Sequence, residues 1–332
     1  MKDSFKAFRI HQDGQSVRAG IEHVTLDDLT PGEVVIEVHY SGVNYKDALA
    51  GTGKGKIVRR FPLNGGVDLS GIVVSSEDDQ FTSGDHVLIS GCGLSEIYDG
   101  GYAKYVRAPA SCVVPIGNSI SLYDAMLMGT PALTAAIALY RMQANNQKPE
   151  QGSIVVTGAT GGVGNMVVDI FSQQGYKIIA ITGKKQAADY LMSIGASQVI
   201  VWDDIELGRR PLEKAQWAGA VDMLGGETLA WLTRTVHEWG NIASIGLAQT
   251  AELQTTVMPF ILRGVSILGV SSTNCPCSLR RDLWQRLCDS WKPKHLQHVS
   301  QSVITMEDLI PTFESMLARK TQGRVIVDIK AS

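Results

Sequence analysis

From Ile154 to Val270 strand-like apolar runs alternate with helical patterns, and this alternation constrains the fold more than any other feature of the chain. The runs are IVVTGA (154–159), IIAIT (178–182), QVIV (198–201), AVDML (220–224), NIASIG (241–246) and VSILGV (265–270), with a helical pattern between each pair. Parallel strands need long crossovers, and helical crossovers cover both faces of the sheet. The rhythm therefore predicts an α/β, doubly wound parallel sheet of about six strands.

The preceding stretch reads differently. Val34–Val38, Gly71–Val74, His86–Ile89 and Tyr102–Val106 are short β-like runs, separated by Pro31-Gly32, Gly65-Gly66, Gly84-Asp85 and Gly100-Gly101. Such punctuation predicts a mostly β barrel or sandwich. With 332 residues the chain is too long for one compact core, so two domains are expected. Near residue 120 the texture changes again. Ser121-Leu-Tyr-Asp124 can open a helix, and an Ala/Leu/Met-rich segment follows to about Met142, with a break expected at Gly129 and Pro131. Beyond the alternating region, Leu279, Leu283, Leu287 and Trp291 recur every four residues, as on an amphipathic helix over 278–291. A second helix is expected over 307–319 and a closing strand over 323–329.

Composition excludes several classes. Hydrophobic residues make up 44%, charged residues 19%, and the net charge is −3, so nothing attracts nucleic acid or an anionic membrane. No apolar run is read as approaching the ~20 residues of a membrane span. Met1–Arg9 mixes charges with single apolar residues and lacks the apolar stretch of a secretion signal. Five scattered cysteines suit free thiols in a reducing cytosol, so a cytoplasmic protein is expected.

The first chemical motif opens the alternation. After Ile154–Thr157 comes Gly158-Ala-Thr-Gly-Gly-Val-Gly164, which fits the dinucleotide fingerprint with Ala159 in the first glycine slot. Gly161 would let backbone approach a pyrophosphate, and Gly164 would let helix and strand pack closely. Thr160, Gly161, Gly162 and Val163 would then present N–H groups at the positive end of a helix. A tight turn that binds nothing has the same local look, but the place of the loop, heading six strands, favours nucleotide binding. The second strand ends in Thr182-Gly-Lys-Lys185, without the acid that would grip a ribose 2′-hydroxyl. The Thr182 hydroxyl and the Lys184 and Lys185 ammonium groups suit a 2′-phosphate, hence NADPH; the two lysines would also serve as a solvated helix start.

Metal ligands are poorly spaced. Cys275 and Cys277 are separated by one residue, Cys92 and Cys112 have no neighbouring His, and His295 and His298 form the only close His pair. No metal is expected. A third constellation, Asn44-Tyr-Lys-Asp47, follows a strand, where Tyr45 and Asn44 would offer hydrogen bonds and Asp47 would fix the loop. A turn closing a strand explains it equally well. Lys54, Lys56, Arg59 and Arg60 read as a solvated loop or as a contact for phosphates of a large anionic substrate.

Five strings, NYKDALAGTGKGKIVRRFP (44–62), VVTGATGGVG (155–164), RPLEKAQWAGAVD (210–222), TTVMPFILRGVSILGV (255–270) and QGRVIVDI (322–329), carry a resemblance. Together they resemble the medium-chain dehydrogenase/reductase superfamily, its zinc-free quinone-oxidoreductase branch, and within it the acrylyl-CoA reductase family. The resemblance implies a GroES-like domain over 1–125 and 271–332, with a Rossmann NADP-binding domain over 126–270. It implies NADPH contacts at Tyr45, Thr160–Val163, Thr182–Lys184, Leu247, Ile261 and Ser272. It implies that the zinc-ligand cysteine of alcohol dehydrogenases would fall at Asn44. Relatives often carry Arg where this chain has Lys184 and Trp202, so two guanidinium forks are missing.

The implied chemistry is hydride transfer to an activated C=C bond, acrylyl-CoA becoming propanoyl-CoA, with Tyr45, then Asn44 and Asp47, as candidates around the developing enolate. Reduction of a quinone or small enone, or nucleotide binding without turnover, stays open from the residues alone. The family also suggests a homodimer.

Overall fold

The computed structural model describes residues 4–332. The chain opens with a hairpin, β1 (Phe5–Asp13) and β2 (Ser16–Val24), turned at Gly14 with φ +59°. Asp13 pairs with Ser16, leaving a two-residue Gly14-Gln15 loop. The Asp-Gly pair is a hairpin signal that the reading above passes over. Next come β3 (Val34–Gly42), α1 (Tyr45–Gly51), β4 (Leu63–Asn64), β5 (Asp68–Ser76), β6 (His86–Ser90), β7 (Tyr105–Ala108) and β8 (Val114–Pro115). In β3 the alternation is plain: Val34, Ile36 and Val38 are buried, and Val35, Glu37 and His39 between them are half-buried.

The helical run α2 (Leu122–Ala144) follows, its first turn capped by Ser121 Oγ, which accepts the Asp124 N–H at 3.0 Å. As expected it breaks at Gly129 (φ 45°, ψ −152°), with Pro131 two residues on. By length and composition α2 is apolar enough to cross a membrane, contrary to the expectation that no run approaches that. However, 83% of its most apolar window is buried inside the fold, as in a core helix.

Then β9 (Ile154–Val156), α3 (Gly162–Gln173), β10 (Ile178–Thr182), α4 (Ala188–Ser193), β11 (Gln198–Val201), β12 (Trp217–Asp222), α5 (Gly226–Thr235), β13 (Val236–Ser244), α6 (Met258–Arg263) and β14 (Ser266–Gly269) build a six-stranded sheet in the order β11-β10-β9-β12-β13-β14. All five pairings are parallel. The helix expected between β11 and β12 is missing. Only a short 3-10 turn (Trp202–Asp204) forms, since Gly208 (φ +65°) and Pro211 do not sustain a helix.

The chain ends with α7 (Cys277–Cys288), α8 (Leu296–Val299), β15 (Ser300–Ile304), α9 (Leu309–Leu317) and β16 (Arg324–Asp328). These strands complete a seven-stranded sheet, β15-β16-β3-β5-β6-β8 with β7 on β3; β2-β1-β4 make a separate sheet. Phe8, Tyr102 and Phe313 meet in the core of that β unit, Phe8 edge-on to both others at 5.8–6.2 Å. Gly51 leaves room for Phe313, whose ring would lie 2.5 Å from a Cβ added there.

Two compact units result. One takes the chain up to Leu133 with Ser272–Asp289 and Leu296–Ser332; the other takes Thr134–Ser271 and Ser290–His295. The sequence places the boundaries at 125/126 and 270/271, whereas the first division falls inside α2, past its break. Cys92 and Cys112 are joined as a disulfide, Cα atoms 5.8 Å apart, which corrects the expectation of free thiols for these two. Two stretches 20 residues apart meet where β6 ends and β8 begins, a proximity that sequence spacing does not report. Cys275, Cys277 and Cys288 lie outside the disulfide. Among the described residues, no group of three His, Cys, Asp or Glu side chains is placed to hold a metal ion.

Candidate active site

In the first unit, β3 turns into α1 through Val43 and Asn44, which is extended (φ −120°, ψ 158°) at the helix cap. The Asn44 N–H donates to Asp47 Oδ2 at 2.9 Å, and the Val67 N–H donates to Asp47 Oδ1 at 2.9 Å. One carboxylate thus ties the start of α1 to the approach of β5. Asp47 is 1% exposed. Burial, then the neighbouring Asp68 charge, pushes its carboxyl up to about 7, against the pull of the two N–H groups.

Beneath Asn44 lies a buried ion pair. Arg324 Nη2 stands 3.5 Å from Asp68 Oδ2, the side chains 2% and 0% exposed. Asn44 Nδ2 donates to Asp68 Oδ2 at 2.8 Å and to Gly42 O at 3.4 Å, while Asn44 Oδ1 accepts from Arg324 Nη1 at 3.1 Å. Arg324 also donates to the Val43 and Met126 carbonyls, both at 3.0 Å. Thr130 completes the set, its N–H donating to Asp68 Oδ2 at 3.0 Å and its hydroxyl to Oδ1 at 2.5 Å. The α2 break follows from this cluster. A Cβ at Gly129 would lie 2.7 Å from Asp68 Oδ2 and 2.8 Å from Arg324 Nη2.

These contacts sort the three candidates. Both ends of the Asn44 amide, and both Asp47 oxygens, are engaged within the fold. Neither side chain therefore awaits a substrate, which corrects the catalytic expectation for both, while Asp47 holds the turn as an acceptor, as its place in the motif led one to expect. Tyr45, at the first position of α1, is 47% exposed and is the one of the three open to a ligand. Lys46 is held by Glu96 Oε1 at 2.6 Å and Thr273 Oγ1 at 2.7 Å. Lys54, Lys56, Arg59 and Arg60 are all exposed. Ser272 belongs to this unit, and its carbonyl accepts from Arg280 Nη2 at 3.0 Å.

In the second unit, the glycine loop leaves β9 at Gly158 (φ +59°) and enters α3 with Gly161 at the cap and no side chain bonded there. A Cβ at Gly164 would lie 2.5 Å from Gly158 O and 2.7 Å from Ala159 Cα, so close helix–strand packing demands glycine. At Gly161 it would meet only Gly158 O, at 3.3 Å, and at Gly183 nothing within 4 Å. Fold packing therefore leaves Gly183 open and Gly161 nearly so, beside an uncapped helix start. Backbone open on that side, beside free helix N–H groups, suits a pyrophosphate and ribose, so these residues fit a dinucleotide.

Thr160 Oγ1 and Thr182 Oγ1 are 3.5 Å apart, joining the loop to the end of β10. Thr182 Oγ1 also accepts the Lys184 N–H at 3.0 Å. The next acid along the chain is Asp189, inside α4, so no carboxylate stands at the strand end. Trp202 packs on the apolar core of this unit. Leu247, just past β13, and Ile261, on α6, are 62% and 72% exposed.

Asp68, Thr130, Tyr102 and Arg324, which orient the Asn44–Asp47 turn, and, in the second unit, Asp222, which holds the loop after β12, are functional residues that spacing along the chain does not reveal. Asp222 Oδ1 accepts from Thr157 Oγ1 at 2.7 Å and Oδ2 from the Gly225 N–H at 2.8 Å. Burial raises its carboxyl above the usual range. Arg324 lies inside the QGRVIVDI string, and Asp68 follows the Gly65-Gly66 turn; both carried a signal, but pairing residues 256 positions apart needs the fold.

Two family models match this chain, the alcohol dehydrogenase GroES-like domain over residues 30–118 and the zinc-binding dehydrogenase over 162–289. The chain is 41% identical to the "Putative quinone oxidoreductase YhfP" of Bacillus subtilis (strain 168) over 99% of its own length and 100% of the relative's. A crystal structure of that Bacillus protein with NAD bound superposes with a TM-score of 0.94 at 40% identity, over 98% of this chain and 100% of the other. The acrylyl-CoA reductase AcuI of Ruegeria pomeroyi is 37% identical over 98% and 100%. The yhdH oxidoreductase from Salmonella enterica in complex with NADP has a TM-score of 0.92 at 36% identity, over 97% and 99%. These likenesses span both units, and the chain belongs to the medium-chain dehydrogenase/reductase superfamily of oxidoreductases, in the quinone-oxidoreductase branch that includes the acrylyl-CoA reductases.

Proposed function

We propose that this chain reduces the activated C=C bond of acrylyl-CoA, or a closely related 2-enoyl-CoA, giving propanoyl-CoA in the acrylyl case, with NADPH as reductant. The observation that carries the reading is Tyr45, an exposed phenol on a helix start fixed by buried groups, in a chain 37% identical to an acrylyl-CoA reductase from end to end. NADPH, when bound, supplies the hydride that reduces the β-carbon.

The chain's own residues do the rest. Backbone N–H groups of Thr160–Val163 bind the pyrophosphate at the start of α3, where the helix dipole adds to them. Thr182, Gly183, Lys184 and Lys185 receive the 2′-phosphate, the two ammonium groups supplying the charge. Leu247 and Ile261 offer apolar contact to the cofactor, and Ser272 a polar one. The Tyr45 hydroxyl donates to the thioester oxygen as negative charge develops there, an interaction stronger in the transition state than in the ground state. Tyr45 or water then delivers the proton to the α-carbon. Lys54, Lys56, Arg59 and Arg60 meet phosphates of the coenzyme A moiety.

Reduction of a quinone or small enone is the second reading, favoured by the name of the 41% identical Bacillus relative. NADPH oxidation measured side by side with acrylyl-CoA, crotonyl-CoA, a plain enone and a benzoquinone separates them. The highest kcat/KM is expected with acrylyl-CoA. If coenzyme A does not raise kcat/KM over the plain enone, the second reading takes over. NADPH binding without turnover of any of the four would leave a nucleotide-binding protein. A homodimer is proposed on family grounds, and the mass in solution tests it.

A further inference from the structure

We propose that Asp47 is a positioning residue that couples the start of α1, and with it Tyr45, to the protonation state of a buried acid cluster. The kinetic part rests on the enoyl reductase reading; the structural part does not.

Asp47, Asp68, Arg324 and Tyr102 are each 2% exposed or less and lie together under the Asn44 turn. The charged or titratable groups facing Asp47 are Asp68 from β5, Arg324 from β16 and the Tyr102 phenol from the stretch before β7. Asp47 and Asp68 share Arg324, while a second buried guanidinium, Arg280 of α7, acts on Asp68, so with both acids ionised Asp47 carries a buried negative charge with no counter-charge of its own, which is costly. A single proton removes it.

The hydrogen bonds decide where that proton sits. Asp68 receives Asn44 Nδ2, both donors of Thr130, and the Arg324 guanidinium. Asp47 receives two backbone N–H groups and a smaller pull from the Asn44 side chain, with the Tyr102 phenol beside it. Asp47, with fewer donors and pushed up to about 7 by burial and then by the Asp68 charge, takes the proton.

Protonation has a local consequence. A hydrogen on Oδ2 faces the Asn44 N–H, and one on Oδ1 faces the Val67 N–H, so one of the two bonds is weakened either way. The first loosens the cap of α1; the second releases α1 from the approach to β5. Above the midpoint both bonds stand and Tyr45 is held; below it the helix start is freed.

Two measurements test this. In amide NMR of the intact protein, Asn44 and Val67 should shift with pH at a common midpoint near 7. In steady-state kinetics, kcat should fall up to tenfold per pH unit below that midpoint, with the KM for NADPH unchanged. Asp47→Asn should flatten the limb, while Tyr45→Phe should retain it at lower turnover. Asn44 and Val67 amides that stay put across the range overturn the proposal, as does an Asp47→Asn enzyme that keeps the limb. Should that variant not fold, the amide titration of the unaltered protein decides alone. Amides that titrate in a protein reducing none of the substrates would sustain the anchor and sink the reductase reading.

Discussion

Asn44 Nδ2 donates to Asp68 Oδ2 at 2.8 Å, so a buried carboxylate orients the side chain at the cap of α1. Asp68 also balances Arg324, which makes it the residue whose loss disturbs most at once. Asp68→Ala leaves a guanidinium that is 2% exposed without its counter-charge. A loss of about 3–5 kcal/mol is expected, a large share of the ~5–15 kcal/mol of a typical domain. Urea unfolding measures it. A loss below about 1 kcal/mol, the usual scale of a surface pair, would show that the pair contributes little.

Asp47 predicts a stability dependence of opposite sign to the common one for carboxylates. Its folded-state value, about 7, lies above the ordinary 3.8, so the protonated form favours the fold. The contribution is complete below 3.8 and is lost as pH rises towards about 7. Across that window the slope reaches at most about 1.4 kcal/mol per pH unit. The carboxylate that closes the α1 cap therefore costs global stability, because its desolvation outweighs two N–H bonds. Unfolding midpoints of the protein and of Asp47→Asn, compared at pH 4 and pH 8, should converge or cross as pH rises. A constant gap between them would rule the idea out.

The parallel sheet was legible because its strands are buried on both faces and read as continuous apolar runs such as Ile178–Thr182. Much of the β unit was legible too, through alternation in β3 and glycine turns. Two elements failed for local reasons. In β1–β2 an Asp-Gly turn was overlooked, and after β11 helical spacing was overruled by Gly208 and Pro211. In the candidate site, Tyr45 and the glycine loop were visible as motifs. Asp47 as the residue that fixes the loop was visible too; its tie to Val67 and the engagement of Asn44 were not, since a side chain's direction depends on partners such as Asp68 and Arg324 brought in from distant strands.

The glycines of the nucleotide loop should separate under substitution. At Gly164 an added methyl meets backbone at 2.5–2.7 Å, so Gly164→Ala must move α3 against β9. A stability loss of about 1–3 kcal/mol is expected, the range for overpacking. At Gly161 the nearest atom is 3.3 Å away. Gly161→Ala should fold with a change below about 1 kcal/mol but weaken NADPH binding tenfold or more, about 1.4 kcal/mol. Thermal unfolding and NADPH fluorescence titration on both variants provide the contrast. Equal damage to both properties in both variants would mean that Gly161 serves packing alone.

Coenzyme preference turns on the end of β10. Neither Asp nor Glu follows Thr182 before Asp189, and the Lys184 N–H is fixed by Thr182 Oγ1 at 3.0 Å, so residue 184 is placed by its backbone whatever its side chain. Removing the ammonium in Lys184→Ala should raise the Kd for NADPH about tenfold, near the lower end for a charge-assisted hydrogen bond. Binding of NADH should hardly change. Lys184→Arg should tighten NADPH binding by a few-fold, because a guanidinium fork meets a phosphate through two bonds where an ammonium offers a point charge. Isothermal titration with both nucleotides reads all three proteins. A parallel loss for NADH and NADPH in Lys184→Ala would take Lys184 out of phosphate recognition and place it on a feature the two cofactors share.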